Sequence, residues 1–196
     1  MSYTVLDRTL ICIEGEDNAS FLQGLITQDV YKLSSLGFSL MLTPQGRFSY
    51  DFFIVKKNDA FILDCDALCG QDLYKKLQLY KLRSRVHVSI LPGQVIASKE
   101  PLTSFKTTHD CFQDPRSSYL GWRYYMWEEG GALNIQGIPW DFRFHTMTLG
   151  LPQGVYDLND KSIPLECYPE SIQAISFEKG CYMGQELTAR TKHTGL

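Results

Sequence analysis

Residues 179–190 read Lys-Gly-Cys-Tyr-Met-Gly-Gln-Glu-Leu-Thr-Ala-Arg, and no other run in the chain says as much about chemistry. Cys181 lies between a Lys-Gly pair and Gly184, which opens a short helix. A thiolate, rather than a thiol, is the reactive form of cysteine. Lys179 favours that form by Coulomb attraction, and the unpaired N–H groups of a helix starting near Gly184 push the same way. Gly180 and Gly184 lack side chains, so backbone or ligand can approach closely. These residues predict an ionisable sulfur presented at a tight turn. A small cysteine buried in a glycine-rich turn accounts for the same residue types, and spacing alone does not separate the two. Glu186 and Arg190 stand four apart with the acid first, the favourable order for a helical ion pair, which by itself explains both. Gln185 has no such simple account; its amide offers a donor and an acceptor to a polar heterocycle.

Other chemistries find less support. Six cysteines (Cys12, Cys65, Cys69, Cys111, Cys167 and Cys181) sit in a chain that is neither short nor loop-dense, so free thiols are expected. Cys65 and Cys69 form a C-x3-C with no second pair, which is poor zinc spacing and too few thiolates for a cluster. His87, His109, His145 and His193 are far apart in sequence, so no metal site is expected. No phosphate loop, dinucleotide glycine pattern or nucleophile-elbow serine is present, which removes most of the case for a kinase, dehydrogenase or common hydrolase. A net charge of −3 gives no global reason to expect nucleic acid. No apolar run approaches the roughly 20 residues of a membrane span, and the N-terminus lacks a signal-peptide pattern. A cytoplasmic protein is expected, or a mitochondrial-matrix one in a eukaryote. Lys75, Lys76, Lys81, Arg83 and Arg85 form a basic run that reads as a solvated helix face or as an attractor for an acidic tail.

The elements that must position these residues follow from hydropathy period. Residues 3–13 read as one strand. A helix starts at Asp17 or Asn18, with Asn18 as a cap, and places Phe21, Leu22, Leu25 and Ile26 on one face. Residues 38–43 read as a strand turned by Pro44-Gln-Gly46. Residues 47–56 and 60–64 form a hairpin, 66–81 an amphipathic helix, and 86–90 a strand. That order is the signature of a ferredoxin-like, split βαβ α+β unit over residues 1–98, in which 94–99 adds a strand. Residues 99–118, with Pro101 and Pro115, read as a linker or functional loop. Residues 119–196 form a second small α/β part: a strand over 119–127, a turn at Glu129-Gly-Gly131, a helix over 139–149 and a short helix near 169–175.

The 179–190 segment resembles the signature of the YgfZ-type folate-binding proteins, relatives of the glycine-cleavage T-protein (aminomethyltransferase) implicated in iron–sulfur cluster assembly and repair. The pattern K-G-C-[FY]-x-G-Q-E, then a small residue and Arg, is filled by Lys179, Gly180, Cys181, Tyr182, Gly184, Gln185, Glu186 and Arg190. The likeness extends to Phe21–Val30, Leu42–Arg47 with Asp51, Asp114-Pro-Arg116, Leu120–Arg123, Gly150–Gly154 and Ile163–Glu166, and so spans nearly the whole chain.

The resemblance implies the fold of the folate-binding region of aminomethyltransferases. Family members usually continue into a small C-terminal β-barrel, which is missing before Leu196. It implies a tetrahydrofolate-binding factor supporting iron–sulfur client proteins, with Cys181 and Lys179 as the reactive pair beside the folate pocket. Gln185, Glu186, Arg190, Asp51, Tyr50 and Asp29 are the expected folate-binding residues, although Asp29 also reads as a helix-end cap. Asp51 stands where the T-protein family carries an acidic pair, with Tyr50 beside it in place of the second acid. Thr148 replaces the family's pterin-touching Glu, which weakens the case for transfer chemistry. A one-carbon transferase of the aminomethyltransferase kind and a non-catalytic adaptor with a vestigial pocket are the alternatives.

Overall fold

A computed structural model describes residues 2–102, 110–127, 138–168 and 170–194. The first five-stranded sheet contains β2 (Arg8–Glu14), β3 (Leu36–Leu42), β4 (Phe48–Lys57), β5 (Ala60–Asp66) and β6 (His87–Leu91), in the order β3-β4-β5-β2-β6. Helix α1 (Asn18–Leu25) follows β2, and α2 (Ala67–Lys81) joins β5 to β6. The order β6-β2-β5-β4, with every neighbouring pair antiparallel, is the split βαβ arrangement, and β3 is added at its edge. The second sheet runs β10-β1-β7-β9-β8, from β1 (Ser2–Leu6), β7 (Gln94–Ser98), β8 (Asp110–Gln113), β9 (Trp122–Met126) and β10 (Ile138–Pro139). Three further helices complete the fold: α3 (Phe142–Thr148), α4 (Pro164–Cys167) and α5 (Gln185–Thr194).

Side-chain alternation along the first sheet builds two cores. Ile11 and Ile13, with Phe52, Ile54 and Leu63, pack under α1 and α2 against Leu22, Leu73 and Leu77. The odd-even partners Leu10, Cys12, Val55 and Ile62 face the other way and meet Val95 and Tyr125 of the second sheet. The layers are therefore helices, sheet, sheet.

Several elements differ from expectation. The apolar run 3–13 is two strands, not one. At Asp7 the chain leaves the second sheet, where β1 pairs with β7, and enters the first, where β2 pairs with β5 and β6. Hydropathy marks both strands alike and carries no sign of the change of partner. Strand pairing thus joins residues from both ends of the chain, since β1 and β7 share a sheet with β9. Within 99–118, read as a loop, residues 110–113 form the edge strand β8. Asn18 does not cap α1; its Nδ2 donates to the Asp59 carbonyl and ties the helix to the β4–β5 turn. The short helix expected near 169–175 is a 3-10 turn at Glu170–Ile172. The expected turn at 129–131 lies outside the described residues.

The two sheets are joined by buried charge. Asp64, on the between-sheet face of β5, is fully buried and accepts from Arg8 Nε at 2.5 Å, Arg123 Nη2 at 2.6 Å and the Tyr125 hydroxyl at 2.9 Å. Burial alone would raise its pKa; the adjacent Arg8 and Arg123 outweigh that and hold the carboxyl below its ordinary value. A group with a depressed native pKa contributes stability that is full above its unfolded value, about 3.9, and is lost as pH falls through the native one. Asp64→Asn should therefore cost about 3–5 kcal/mol at pH 7, because two buried guanidinium groups would lose the carboxylate they share and keep only the longer contacts to Asp66 and Asp114. Urea unfolding at pH 7 and pH 3 checks this, and the gap between variant and wild type should narrow at the lower pH.

Candidate functional site

A cavity of about 310 Å³ opens at the corner where β1 passes into β2. Alternation in β2, β4 and β9 turns Arg8, Asp51, Phe53 and Arg123 toward it, while the Asp114–Arg116 turn and α3 supply the remaining walls. Three guanidinium groups surround the Phe53 ring: those of Arg123, Arg116 and Arg8 lie 3.8, 4.8 and 5.9 Å from its centroid. Arg116 is held in a two-pronged ion pair by Asp114, at 3.0 and 2.8 Å. Nearer solvent, Trp140 and Phe142 meet edge to face at 5.2 Å, and exposed Arg143 lies over the Tyr156 ring at 4.0 Å.

Four acids, Asp7, Asp51, Asp66 and Asp141, line this cavity, and Asp51 is the one expected there from sequence. Its Oδ2 accepts from the Tyr168 hydroxyl at 3.0 Å, and Gly154 abuts its other oxygen so tightly that a Cβ there would lie 2.0 Å from Oδ1. Burial pushes the Asp51 carboxyl above its ordinary pKa, while Arg8, the Tyr168 hydrogen bond and Arg116 oppose the rise. Tyr50, its neighbour on β4, faces the opposite way. It packs against the core under the helices with Lys76 Nζ 5.1 Å from its ring, so period-2 alternation separates two residues that sequence had paired.

The signature segment lies elsewhere. Tyr182 is buried in a cluster with Phe38, Phe48 and Tyr168. Gly184 has φ +82°, and a Cβ on it would come within 2.6 Å of the Thr43 carbonyl and 3.0 Å of Gly46 Cα. Gly184 is thus required by the fit of this segment onto the β3–β4 turn. Gln185 opens α5 and its Oε1 accepts from the Tyr182 N–H at 3.3 Å, while Glu186 and Arg190 lie on exposed faces of that helix. Cys181 is an exposed free thiol and is not among the cavity's lining residues.

Lys179 is buried, and its Nζ donates to the carbonyls of Gln23, Ile26 and Gln28 at 2.8, 2.7 and 2.9 Å. Its ammonium closes the C-terminal end of α1 and the loop after it, and is directed at those oxygens rather than at sulfur. Burial pushes its pKa down to about 8, with the Asp29 carboxylate working the other way. Asp29 accepts from the Tyr31 N–H at 3.1 Å and from Gln23 Nε2 at 3.0 Å, an Asx-type turn in the loop after α1 rather than the cap on the helix end that sequence suggested.

Of the eight residues expected at the site, Asp51 alone lines the cavity. Arg8, Arg123, Arg143 and Tyr168 were not foreseen as site residues. Arg8 and Arg123 did carry a signal, since each is a charge at the same strand parity as buried apolar neighbours: Leu10 and Cys12 for one, Tyr125 for the other. Tyr168 carried none, because its partner is distant in sequence. The basic run on α2 does not line the cavity; Lys76 donates to Ser49, and Arg85 pairs with Asp17 and Glu16. Among the described residues no group of three or more His, Cys, Asp or Glu side chains is arranged to hold a metal ion.

This architecture is that of the glycine-cleavage aminomethyltransferases. The aminomethyltransferase T of Bartonella henselae matches it with a TM-score of 0.67 at 14% identity, over 99% of this chain and 63% of that one. No family model matches the chain. In sequence it is 33% identical over 219 residues to the human iron–sulfur cluster assembly factor IBA57, mitochondrial, which spans 96% of this chain and 62% of that protein. The Mus musculus protein of the same name matches at 33%, again over 62% of its length, and the Pyricularia oryzae homologue at 31% over 53%. The chain thus spans between about half and three fifths of these relatives. It is a homologue of iron–sulfur cluster assembly factors, on the fold of an aminomethyltransferase.

The three carbonyls held by Lys179 make a testable demand. Lys179→Met should lower stability by about 3 kcal/mol, because buried acceptors lose a charged donor. Denaturant unfolding reads this, and a loss below about 0.5 kcal/mol would mean that water replaces the ammonium at no cost.

Proposed function

We propose that this protein binds tetrahydrofolate in the cavity between its sheets and supports the assembly or repair of iron–sulfur client enzymes, with Cys181 as an exposed reactive thiol. The observation that carries the folate reading is the set of groups gathered at one cavity. Asp51 offers an acceptor to a pterin edge, Trp140 and Phe142 offer aromatic surface, and Arg143 offers a cation to glutamate carboxylates. About 310 Å³ lies at the lower end of the range for small-molecule pockets, roughly 300–1,000 Å³, and suits the ring end of such a ligand. When bound, a reduced folate supplies the capacity to carry or trap a one-carbon unit. The assembly reading rests on the similarity to IBA57 proteins, and their designation as mitochondrial supports a matrix location in a eukaryote. No described helix is long and apolar enough to cross a membrane.

Binding is favoured over transfer chemistry by Thr148, whose hydroxyl donates to the His145 carbonyl at 2.7 Å within α3. The position that bears an acid in the transferases is here a neutral residue bonded to its own helix. The Lys179 ammonium is engaged by carbonyls, so the reactivity proposed for Cys181 rests on its exposure.

Calorimetric titration with tetrahydrofolate under anaerobic conditions tests the first part. Wild type should bind, Asp51→Asn should weaken binding about tenfold, equivalent to about 1.4 kcal/mol, and Cys181→Ala should leave it unchanged. Absence of heat with wild type overturns the folate reading. For the thiol, iodoacetamide labelling at neutral pH should modify Cys181 faster than Cys111, the other exposed cysteine, whose thiol is pushed up by burial. Equal rates would remove the case for a reactive sulfur.

A further inference from the structure

Tyr168 is 2% exposed, is not among the cavity's lining residues and yet determines what Asp51 presents there. Its ring is packed between Phe38 and Phe48, with centroids 5.8 and 6.4 Å away, and its N–H is bonded to the Pro164 carbonyl at 2.8 Å. Held in this way, its hydroxyl meets Asp51 Oδ2 at 3.0 Å, while Gly154, at φ +47°, abuts Oδ1. Asp51 thus has a hydrogen bond to Oδ2 and the Gly154 backbone packed close against its carboxyl group, where a side chain would not fit.

We infer that Tyr168 is a positioning residue for ligand recognition, fixing the Asp51 carboxylate as an acceptor for a ligand edge that carries N–H donors. The inference rests on the folate reading above and deepens it. Burial pushes the Tyr168 hydroxyl far above its ordinary pKa, so it remains a donor throughout the physiological range. A donor that does not ionise favours the charged form of its partner. The other groups acting on Asp51 are Arg8 from β2, Arg116 from the Asp114–Arg116 turn, and the Cys69 thiol from α2. Both arginines also favour the carboxylate. They are shared with other acids, Arg8 with Asp64 and Arg116 with Asp114, whereas the Tyr168 hydroxyl is bonded to Asp51.

The sign of the pH effect follows. Removing the hydroxyl removes a bond to the charged form, so the Asp51 pKa rises, and binding that needs the carboxylate fails at a higher pH as the solution is acidified. Tyr168→Phe keeps the ring and loses only the donor. Tetrahydrofolate affinity is measured from pH 5 to 9 on wild type, Tyr168→Phe, Asp51→Asn and the double variant. Carbon-13 NMR of the aspartate carboxyls follows Asp51 in the ligand-free protein.

Tyr168→Phe should bind about tenfold more weakly near pH 6. The deficit should shrink toward pH 9, the Asp51 titration should move upward, and there should be no further effect in the Asp51→Asn background. A merely structural role would weaken binding equally at every pH and equally in both backgrounds, and that result overturns the inference. So does an unmoved Asp51 titration. Wild type that takes up no folate, together with an Asp51 titration that does move, sinks the folate reading and leaves the Tyr168–Asp51 coupling standing.

Discussion

Everything in this fold depends on one carboxylate between two sheets. Asp64 belongs to the first sheet, Arg123 and Tyr125 to the second, and Arg8 to the strand that follows the crossing between them. A buried ion pair is weak grounds for net stability, because desolvation of the ions offsets most of their attraction. Its part here is positional, since Asp64 on the first sheet meets Arg123 and Tyr125 of the second. The same arrangement keeps Arg8 and Arg123 at the cavity wall, and Asp66 and Asp114, at 4.0 and 3.8 Å, help to offset the charge that Asp64 alone does not. A cavity lined by uncompensated guanidinium groups would attract any small anion.

The three arginines share more than charge. Each lies over the Phe53 ring or at its margin, so a single aromatic face spaces cations that would otherwise repel one another. Asp114 then takes Arg116, Asp64 takes Arg8 and Arg123, and Asp51 is left with a tyrosine hydroxyl as its direct partner. Among the acids of this interior, Asp51 is the one with capacity to meet a ligand.

Much of the fold was legible in the chain. The split βαβ unit followed from the alternation of strand and helix periods, and α1 and α2 lie where apolar residues recur at 3.6 spacing. The layer beyond it was less so. Whether a strand joins one sheet or another is decided by long-range pairing, and the hydropathy of residues 3–13 is the same on either side of Asp7. The site was legible by motif but not by location. The signature segment is real and is held by Lys179 and Gly184, yet those residues serve α1 and the β3–β4 turn. The charges that shape the cavity come from residues as distant as Arg8 and Arg143, which no local pattern connects.

The single residue separating β1 from β2 has a consequence for how a guest enters. With so short a bridge, neither sheet can slide past the other without tearing a ladder on one side, and the hollow lies at that very corner. Its walls are accordingly stiff. Under the folate reading, the approach to that corner falls to the rim at α3, which belongs to neither sheet.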